Sequence, residues 1–188
     1  KALARFSSML ASKTQIFTPY GATESMPVAR VGSHQILRET KEKTGNGSGV
    51  CIGKAVDGMA IDIIRISDEE IPNWSDDLKV TPGEIGEIVA KGRNVTRSYY
   101  NRESATKLAK IQDGGQIRHR MGDLGYFDGE GDLWLGGRKA QRVKVGEQEL
   151  YSIQCEHVFN KHPDVVRTAL VGVNGKAVLC IEVGNESN

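Results

Sequence analysis

Glycine supplies 22 of the 188 residues, and many of these glycines separate short runs of apolar and β-branched residues. Glycine tolerates the positive φ angles of tight turns, so this spacing favours short strands joined by turns over a helical bundle. We therefore predict a chain built mainly from strands. The predicted strands cover residues 16–20, 50–52, 59–66, 84–90, 123–127, 132–135, 142–145, 165–173 and 176–183.

Helices are predicted in three places. Apolar residues recur at helical spacing in residues 1–12, and residues 104–110 and 151–161 show similar but shorter patterns. Two polar stretches predict loops: residues 38–49 are rich in glycine, and residues 67–83 are acidic and contain two prolines.

This inventory predicts an α+β fold with an antiparallel β-barrel or sandwich in its middle. We place a boundary after residue 138, so that residues 1–138 are the C-terminal part of a large domain and residues 139–188 begin a small α+β domain. The second unit offers one helix and two or three strands, which is thin for an independent core. The chain also begins at Lys1 without methionine, so we expect it to be a fragment of a longer protein.

Charge and composition exclude several function classes. The 25 basic and 24 acidic residues leave a formal net charge of +1, which gives no electrostatic reason to expect nucleic acid or an anionic membrane as a partner. No run approaches 18 apolar residues, so no transmembrane segment is expected. The three cysteines are too widely spaced for a disulfide framework, and a cytoplasmic location fits best. Basic residues cluster at 118–120 and again at 138–139 and 142–144, and they form either a solvated strand face or a phosphate-facing surface.

Three short motifs carry the chemistry. The first is the run from Tyr20 to Glu24, the second is Met121-Gly122-Asp123, and the third is Gly137-Arg138, which lies 15 positions after Asp123. Thr23 and Glu24 place a hydroxyl beside a carboxylate at a predicted strand end. Magnesium prefers such hard oxygen ligands, usually one or two carboxylates together with phosphate oxygens.

The order and spacing of these motifs resemble the nucleotide site of the adenylate-forming superfamily, which includes acyl-CoA synthetases, luciferases and peptide-synthetase adenylation domains. The resemblance runs through most of residues 14–183 and implies ATP and Mg²⁺ as cofactors. It implies that residues 1–138 belong to the large AMP-binding domain and that the parent couples a carboxylic acid to AMP. It also implies a role for each motif residue: Tyr20 stacks on adenine, Gly21 lets the backbone approach the nucleotide, Thr23 hydrogen-bonds the α-phosphate, Glu24 holds Mg²⁺, Asp123 accepts from the ribose hydroxyls, and Arg138 reaches the ribose and phosphates.

The chain departs from the family pattern in three ways. The phosphate-binding loop and the catalytic lysine of the family are absent, so we expect little activity from this fragment alone. Ala140 stands at the hinge position, where the family usually has Asp or Lys. The residues after the hinge also differ, and residues 150–163 together with residues 119–123 resemble the β-lactone synthetases of bacterial olefin biosynthesis.

That branch adenylates a 2-alkyl-3-hydroxy fatty acid, whose own hydroxyl then displaces AMP to close a lactone. The resemblance therefore implies a fatty, 3-hydroxy acid as the substrate. An ordinary fatty-acid–CoA ligase is the alternative, and a non-catalytic interaction module is a rival from another class. Exposed strand edges make a homodimer possible.

Overall fold

The computed structural model describes residues 2–184. In that range the backbone forms twelve strands, and each pairing between them is antiparallel. The strands are β1 (Phe17–Ala22), β2 (Ser25–Gly32), β3 (Val50–Ala55), β4 (Met59–Ile64), β5 (Gly86–Gly92), β6 (Lys110–Asp113), β7 (Gln116–Phe127), β8 (Leu133–Arg138), β9 (Val143–Val145), β10 (Gln148–Leu150), β11 (Val165–Val173) and β12 (Lys176–Val183).

Eight of these strands form one sheet in the order β1-β2-β3-β8-β7-β5-β4, with β6 also paired to β7. Val28 of β2, Ile63 of β4, Ile88 of β5 and Leu133 of β8 lie in a single buried cluster. Strands β2 and β4 lie far apart in the strand order, yet both contribute to this cluster. The sheet therefore curls around its own core. Burying each such side chain contributes about 1.5–3 kcal/mol, and this core fixes the strands that carry the three motifs.

The remaining four strands form two separate hairpins, β9-β10 and β11-β12. The predicted α+β class with a mostly antiparallel sheet is confirmed. The division of the chain at residue 138 is not tested by these contacts and stays a prediction.

Four longer helical segments accompany the strands in the described range: α1 (Ala2–Ser7), α2 (33–48), α3 (Glu103–Ala109) and α4 (Ser152–Phe159). Two short 3₁₀ turns, Asp76–Leu78 and Lys139–Gln141, also occur there. None of the described helices is long and apolar enough to cross a membrane. The predicted helix over residues 1–12 is shorter than expected, and none of the residues in α1 is buried.

The predicted loop at residues 38–49 is wrong, because residues 33–48 form the continuous helical segment α2. The segment alternates α-helical turns with wider π turns, and only Gly47 inside it leaves helical geometry. Its glycine-rich end is held by tertiary contacts: Lys161 Nζ donates to Asn46 Oδ1 at 2.8 Å, and Tyr126 Oη donates to the Ser48 carbonyl at 3.0 Å. These contacts override the low helix propensity of glycine and asparagine.

The strand predictions are confirmed in position, and the loop prediction for residues 67–83 holds apart from one short helical turn, Asp76–Leu78. Three strands were missed: β2, β6 and β10. The prediction for β7 was also too short, since the strand begins at Gln116 rather than at Asp123.

Candidate active site

Thr23 and Glu24 form the two-residue turn at the tip of the β1-β2 hairpin, because Ala22 pairs with Ser25 directly across it. The tip is tied down where Thr96 N donates to the Glu24 carbonyl oxygen at 2.8 Å. The packing explains why residue 21 is glycine, since a Cβ at that position would lie 2.5 Å from the Ser25 carbonyl oxygen. In this structure, Gly21 therefore allows the backbone of strand β2 to pass close to strand β1.

Asp123 lies opposite Arg138 in the register of β7 and β8, which explains the spacing of 15 positions between them. Arg138 Nη1 is 3.2 Å from Asp123 Oδ1, and Tyr20 Oη donates to Asp123 Oδ2 at 2.7 Å. The buried Asp123 carboxylate therefore joins all three sequence motifs through side chains that lie up to 118 positions apart.

Burial sets the protonation preferences at this junction. It raises the pKa of the Asp123 carboxyl, an effect that the Tyr20 hydrogen bond and the Arg138 charge oppose. Burial, followed by the Asp123 charge, raises the pKa of Tyr20 far above its ordinary value, so that its hydroxyl stays a donor.

The Glu24 carboxylate is held in its ionised form. Tyr99 Oη donates to Glu24 Oε1 at 2.6 Å, and this hydrogen bond is the largest cause that lowers the Glu24 pKa. Burial and the same contact raise the pKa of Tyr99 to about 12. Glu24 is thus an anionic oxygen ligand held at the tip of the hairpin.

A cleft of about 480 Å³ lies beside these residues. Thr23, Glu24, Gly122 and Arg138 line it, while Asp123 contacts Arg138 next to it. Tyr20 does not line the cleft, and its ring packs against the core cluster of the sheet. The structure therefore brings the predicted residues together, with Tyr20 behind Asp123, and the adenine-stacking role expected for Tyr20 stays a prediction.

The side chains at residues 118–120 are all buried, so they are not a solvated strand face, and His119 and Arg120 line the cleft together with Arg138 and Lys139. Arg118 pairs with Asp113 at 2.7 Å and also with Asp62, and its guanidinium lies 3.6 Å from the centre of the Trp74 ring. The two arginine charges are neutralised by carboxylates, Arg118 by Asp113 and Asp62, and Arg120 by Glu87.

Two charged or hydroxyl-bearing cleft residues, Glu87 and Tyr99, were missed as site residues by sequence reasoning, and Arg120 and Lys139 were predicted only as members of the basic clusters. Arg120 Nη2 donates to Glu87 Oε2 at 2.7 Å, and Lys139 Nζ lies 3.0 Å from Glu87 Oε1. The second contact lacks the angles of a hydrogen bond, so we treat it as an ion pair. Glu87 lies in the run Gly83-Glu84-Ile85-Gly86-Glu87, which resembles a strand entry of the family but was given no site role.

His119 is a neutral, structural part of the cleft wall. Its Nδ1 lies 3.2 Å from the Ala109 carbonyl oxygen, and burial lowers its pKa to about 4, helped by the nearby Lys110 charge. The imidazole therefore carries a proton on Nδ1 and no net charge near neutral pH.

The His119 pKa predicts how stability depends on pH. Below pH 6.5 the unfolded chain gains a proton on this side chain, whereas the folded chain keeps it neutral until about pH 4. Stability is therefore lost as the pH falls through this window, by on the order of 3 kcal/mol. Urea unfolding at stepped pH should show a flatter dependence for His119→Gln than for the wild type. His162→Gln, at an exposed position, is the control, and an equal slope in His119→Gln would contradict the assignment.

The donor set fits a magnesium nucleotide. Among the described residues, the Glu24 carboxylate accepts its one side-chain hydrogen bond on Oε1, which leaves Oε2 for a cation. Each Asp123 oxygen has one partner and retains a second lone pair for a hydroxyl donor. Glu24 would hold the metal, and Asp123, Thr23 and Arg138 would hold the nucleotide.

Comparison with known proteins shows where this arrangement belongs. The olefin beta-lactone synthetase of Xanthomonas campestris pv. campestris is 44% identical over 190 residues, which cover 96% of this chain and 34% of that protein. The indoleacetate–CoA ligase of Aromatoleum aromaticum is 31% identical over 153 residues, 81% of this chain and 26% of the relative. The chain belongs to the adenylate-forming superfamily. No protein-family model matches it.

The solved structures agree with this membership in the adenylate-forming superfamily. The O-succinylbenzoate coenzyme A synthetase of Bacillus subtilis, in complex with ATP and a magnesium ion, matches with a TM-score of 0.66 and 30% identity. That match covers 88% of this chain and 30% of the other. The chain thus spans about a third of the length of the curated relatives it matches most fully. The resemblance read from the three motifs is confirmed at the level of the superfamily.

Proposed function

We propose that the complete protein containing this chain activates a carboxylic acid with ATP, and that the chain supplies the ribose and phosphate side of the site. The observation that carries the proposal is the convergence of Tyr20 and Arg138 on the buried Asp123 carboxylate, beside a cleft lined by Thr23 and Glu24. The magnesium nucleotide bound by a superfamily member of the same fold supports this choice of ligand.

Each residue then has a defined task. Mg·ATP, when bound, supplies an electrophilic α-phosphate and pyrophosphate as the leaving group. Asp123 accepts hydrogen bonds from the ribose hydroxyls, and its contact with Tyr20 fixes the direction of its two oxygens. Thr23 donates to an α-phosphate oxygen, Glu24 ligates the metal, and Arg138 offsets the phosphate charge. Such positioning and charge stabilisation provide most of the rate in reactions of this class.

For the substrate we propose a fatty acid that carries a 3-hydroxyl group. The 44% identity to proteins named olefin beta-lactone synthetase supports this narrower assignment. After the carboxylate oxygen has attacked the α-phosphorus and pyrophosphate has left, the 3-hydroxyl oxygen attacks the acyl carbon. The bond from the acyl carbon to AMP breaks, the hydroxyl proton is lost, and a four-membered lactone forms together with AMP.

The alternative is an ordinary fatty-acid–CoA ligase, which the likeness to a CoA ligase at 31% identity favours. Ala140 speaks against it, since this exposed alanine offers no polar group at the position expected to act as a hinge. A non-catalytic module is disfavoured, because such a module has no need for two distant polar side chains, Tyr20 and Arg138, to meet at one buried carboxylate.

Product identity separates the two enzymatic alternatives. The complete protein is incubated with Mg·ATP, a 3-hydroxy fatty acid and CoA, and the products are resolved by mass spectrometry. We expect a β-lactone and AMP, with no CoA consumed. The matched control is the same acid without its 3-hydroxyl group, which should stop at the acyl adenylate. A CoA thioester as the sole product would reject the lactone assignment while leaving acid activation intact.

Three further expectations remain predictions. The chain alone should show little activity, because the resemblance assigns the phosphate loop and the catalytic lysine to other parts of the protein. A cytoplasmic location and a homodimer are likewise expected from the sequence. Activity measured on the isolated chain, and its mass by light scattering, would check the first and the last.

A further inference from the structure

Arg138 is held only loosely by its own side-chain contacts. Its side chain is 58% exposed, and its partners among the described residues are Asp123 Oδ1 at 3.2 Å and the Met121 carbonyl at 3.5 Å. Ordering a long, flexible side chain costs up to about 2 kcal/mol of rotamer entropy, which two long contacts offset poorly. The position of this guanidinium therefore depends on how firmly the backbone beside it is fixed.

The backbone is fixed on both sides of Arg138. Before it, Gly137 has a φ of +150°, and a Cβ there would lie 2.7 Å from Ser152 Oγ at the start of α4. After it, Lys139 reaches into the protein, where Nζ lies 3.0 Å from Glu87 Oε1 and donates to the Ser67 carbonyl at 2.8 Å. The side chain of Lys139 is 19% exposed, in contrast to its neighbour Arg138.

The anchor for Lys139 is itself immobile. Glu87 is fully buried on β5, and Arg120, 2% exposed, donates to it from β7. Arg120 also donates to the carbonyl oxygens of Glu69 at 2.7 Å and Leu108 at 3.0 Å, so the guanidinium is fixed from several sides.

The charge balance of this cluster shows that Lys139 is not required to compensate Glu87. Arg120 already neutralises the single buried carboxylate, so the cluster of Glu87, Arg120 and Lys139 carries one surplus positive charge. Placing a second cation beside a neutral buried pair costs desolvation energy without completing the pair. Lys139 is therefore available for a role beyond the compensation of Glu87.

We propose that Lys139, anchored on Glu87, is a positioning residue that holds Arg138 over Asp123 and so aligns it with the nucleotide phosphates. This inference rests on the proposed function, because it takes Arg138 to contact the nucleotide. Lys139 acts through the backbone it shares with Arg138.

The test is a double-mutant cycle on AMP affinity, measured by calorimetry with the complete protein. Lys139→Met should weaken AMP binding about tenfold, which lies within the coupling range of neighbouring residues. Lys139→Arg, which keeps the charge, should restore affinity to within about twofold. In an Arg138→Met background, Lys139→Met should change affinity by less than about twofold, since its effect passes through Arg138. Lys144→Met removes an exposed lysine from the same segment and serves as the control.

The affinities of the single and double variants separate the possible roles of Lys139. Equal losses from Lys139→Met in both backgrounds would overturn the inference, because Lys139 would then act independently of Arg138. A loss for Arg138→Met with none for Lys139→Met would overturn this inference alone. Unchanged affinity for Arg138→Met would reject the proposed function, and the inference with it. If Lys139→Met does not fold, Lys139→Gln keeps a donor for the Ser67 carbonyl and gives the same readout.

Discussion

Replacing Asp123 with asparagine should weaken AMP binding by the complete protein at least about a hundredfold, because hydrogen bonds to a charged group contribute about 1.5–3 kcal/mol each. The carboxylate is buried, so water cannot replace the lost interactions. Asparagine keeps the size of the side chain but offers one acceptor oxygen where two are needed. Its amide nitrogen would replace one of the two acceptor oxygens that now face the Tyr20 hydroxyl and the Arg138 guanidinium, and the guanidinium cannot accept from it.

Affinity measured by calorimetry with AMP checks this prediction. Asp57→Asn makes the same chemical change at an exposed position in the turn between β3 and β4, and it should leave the affinity unchanged. Tyr20→Phe is a second comparison: it removes one partner of Asp123 and should cost less than Asp123→Asn. Wild-type affinity in Asp123→Asn would mean that the ribose binds elsewhere.

Sequence reasoning found this carboxylate because the order and spacing of three motifs resemble a known nucleotide site, and the structure shows the local geometry behind that spacing. A two-residue turn places Thr23 and Glu24 at a hairpin tip, and a hairpin with a fixed register sets Arg138 opposite Asp123. Both geometries are encoded within a few residues of the motif. The contact between the first motif and Asp123 was harder to predict, since the Tyr20–Asp123 hydrogen bond joins strands β1 and β7, which are not neighbours in the sheet.

The errors have a common physical cause in tertiary contacts that composition does not report. Residues 38–49 looked like a loop because they are polar and rich in glycine, yet contacts with Lys161 and Tyr126 hold them in a helix. The first half of β7 was missed because Arg118, His119 and Arg120 are polar, although all three are buried. Partners supplied by distant segments, such as Asp62 and Glu87, make that burial possible.

Glu87 is the most consequential of these buried groups, and Glu87→Gln should destabilise the folded chain by about 3 kcal/mol. Removing one partner of a buried ion pair typically costs about 3–5 kcal/mol, because the other charge is left without compensation. Here the substitution leaves the positive charges of Arg120 and Lys139 together in the interior. We expect the lower end of the range, since carbonyl oxygens of Ser67, Glu69 and Leu108 still accept from Arg120.

Urea denaturation of the chain, with and without the substitution, measures this loss as a shift of the midpoint at constant slope. Glu182→Gln is the matched control, because Glu182 pairs with Arg167 on the exposed β11-β12 hairpin, where both side chains are at least half exposed. An exposed pair contributes at most about 1 kcal/mol, so the two glutamates should differ by at least about 2 kcal/mol. Equal losses would show that Glu87 is not the electrostatic anchor of the cleft wall. The placement of Lys139 and Arg138 would then have to come from the packing of Gly137 against α4 alone.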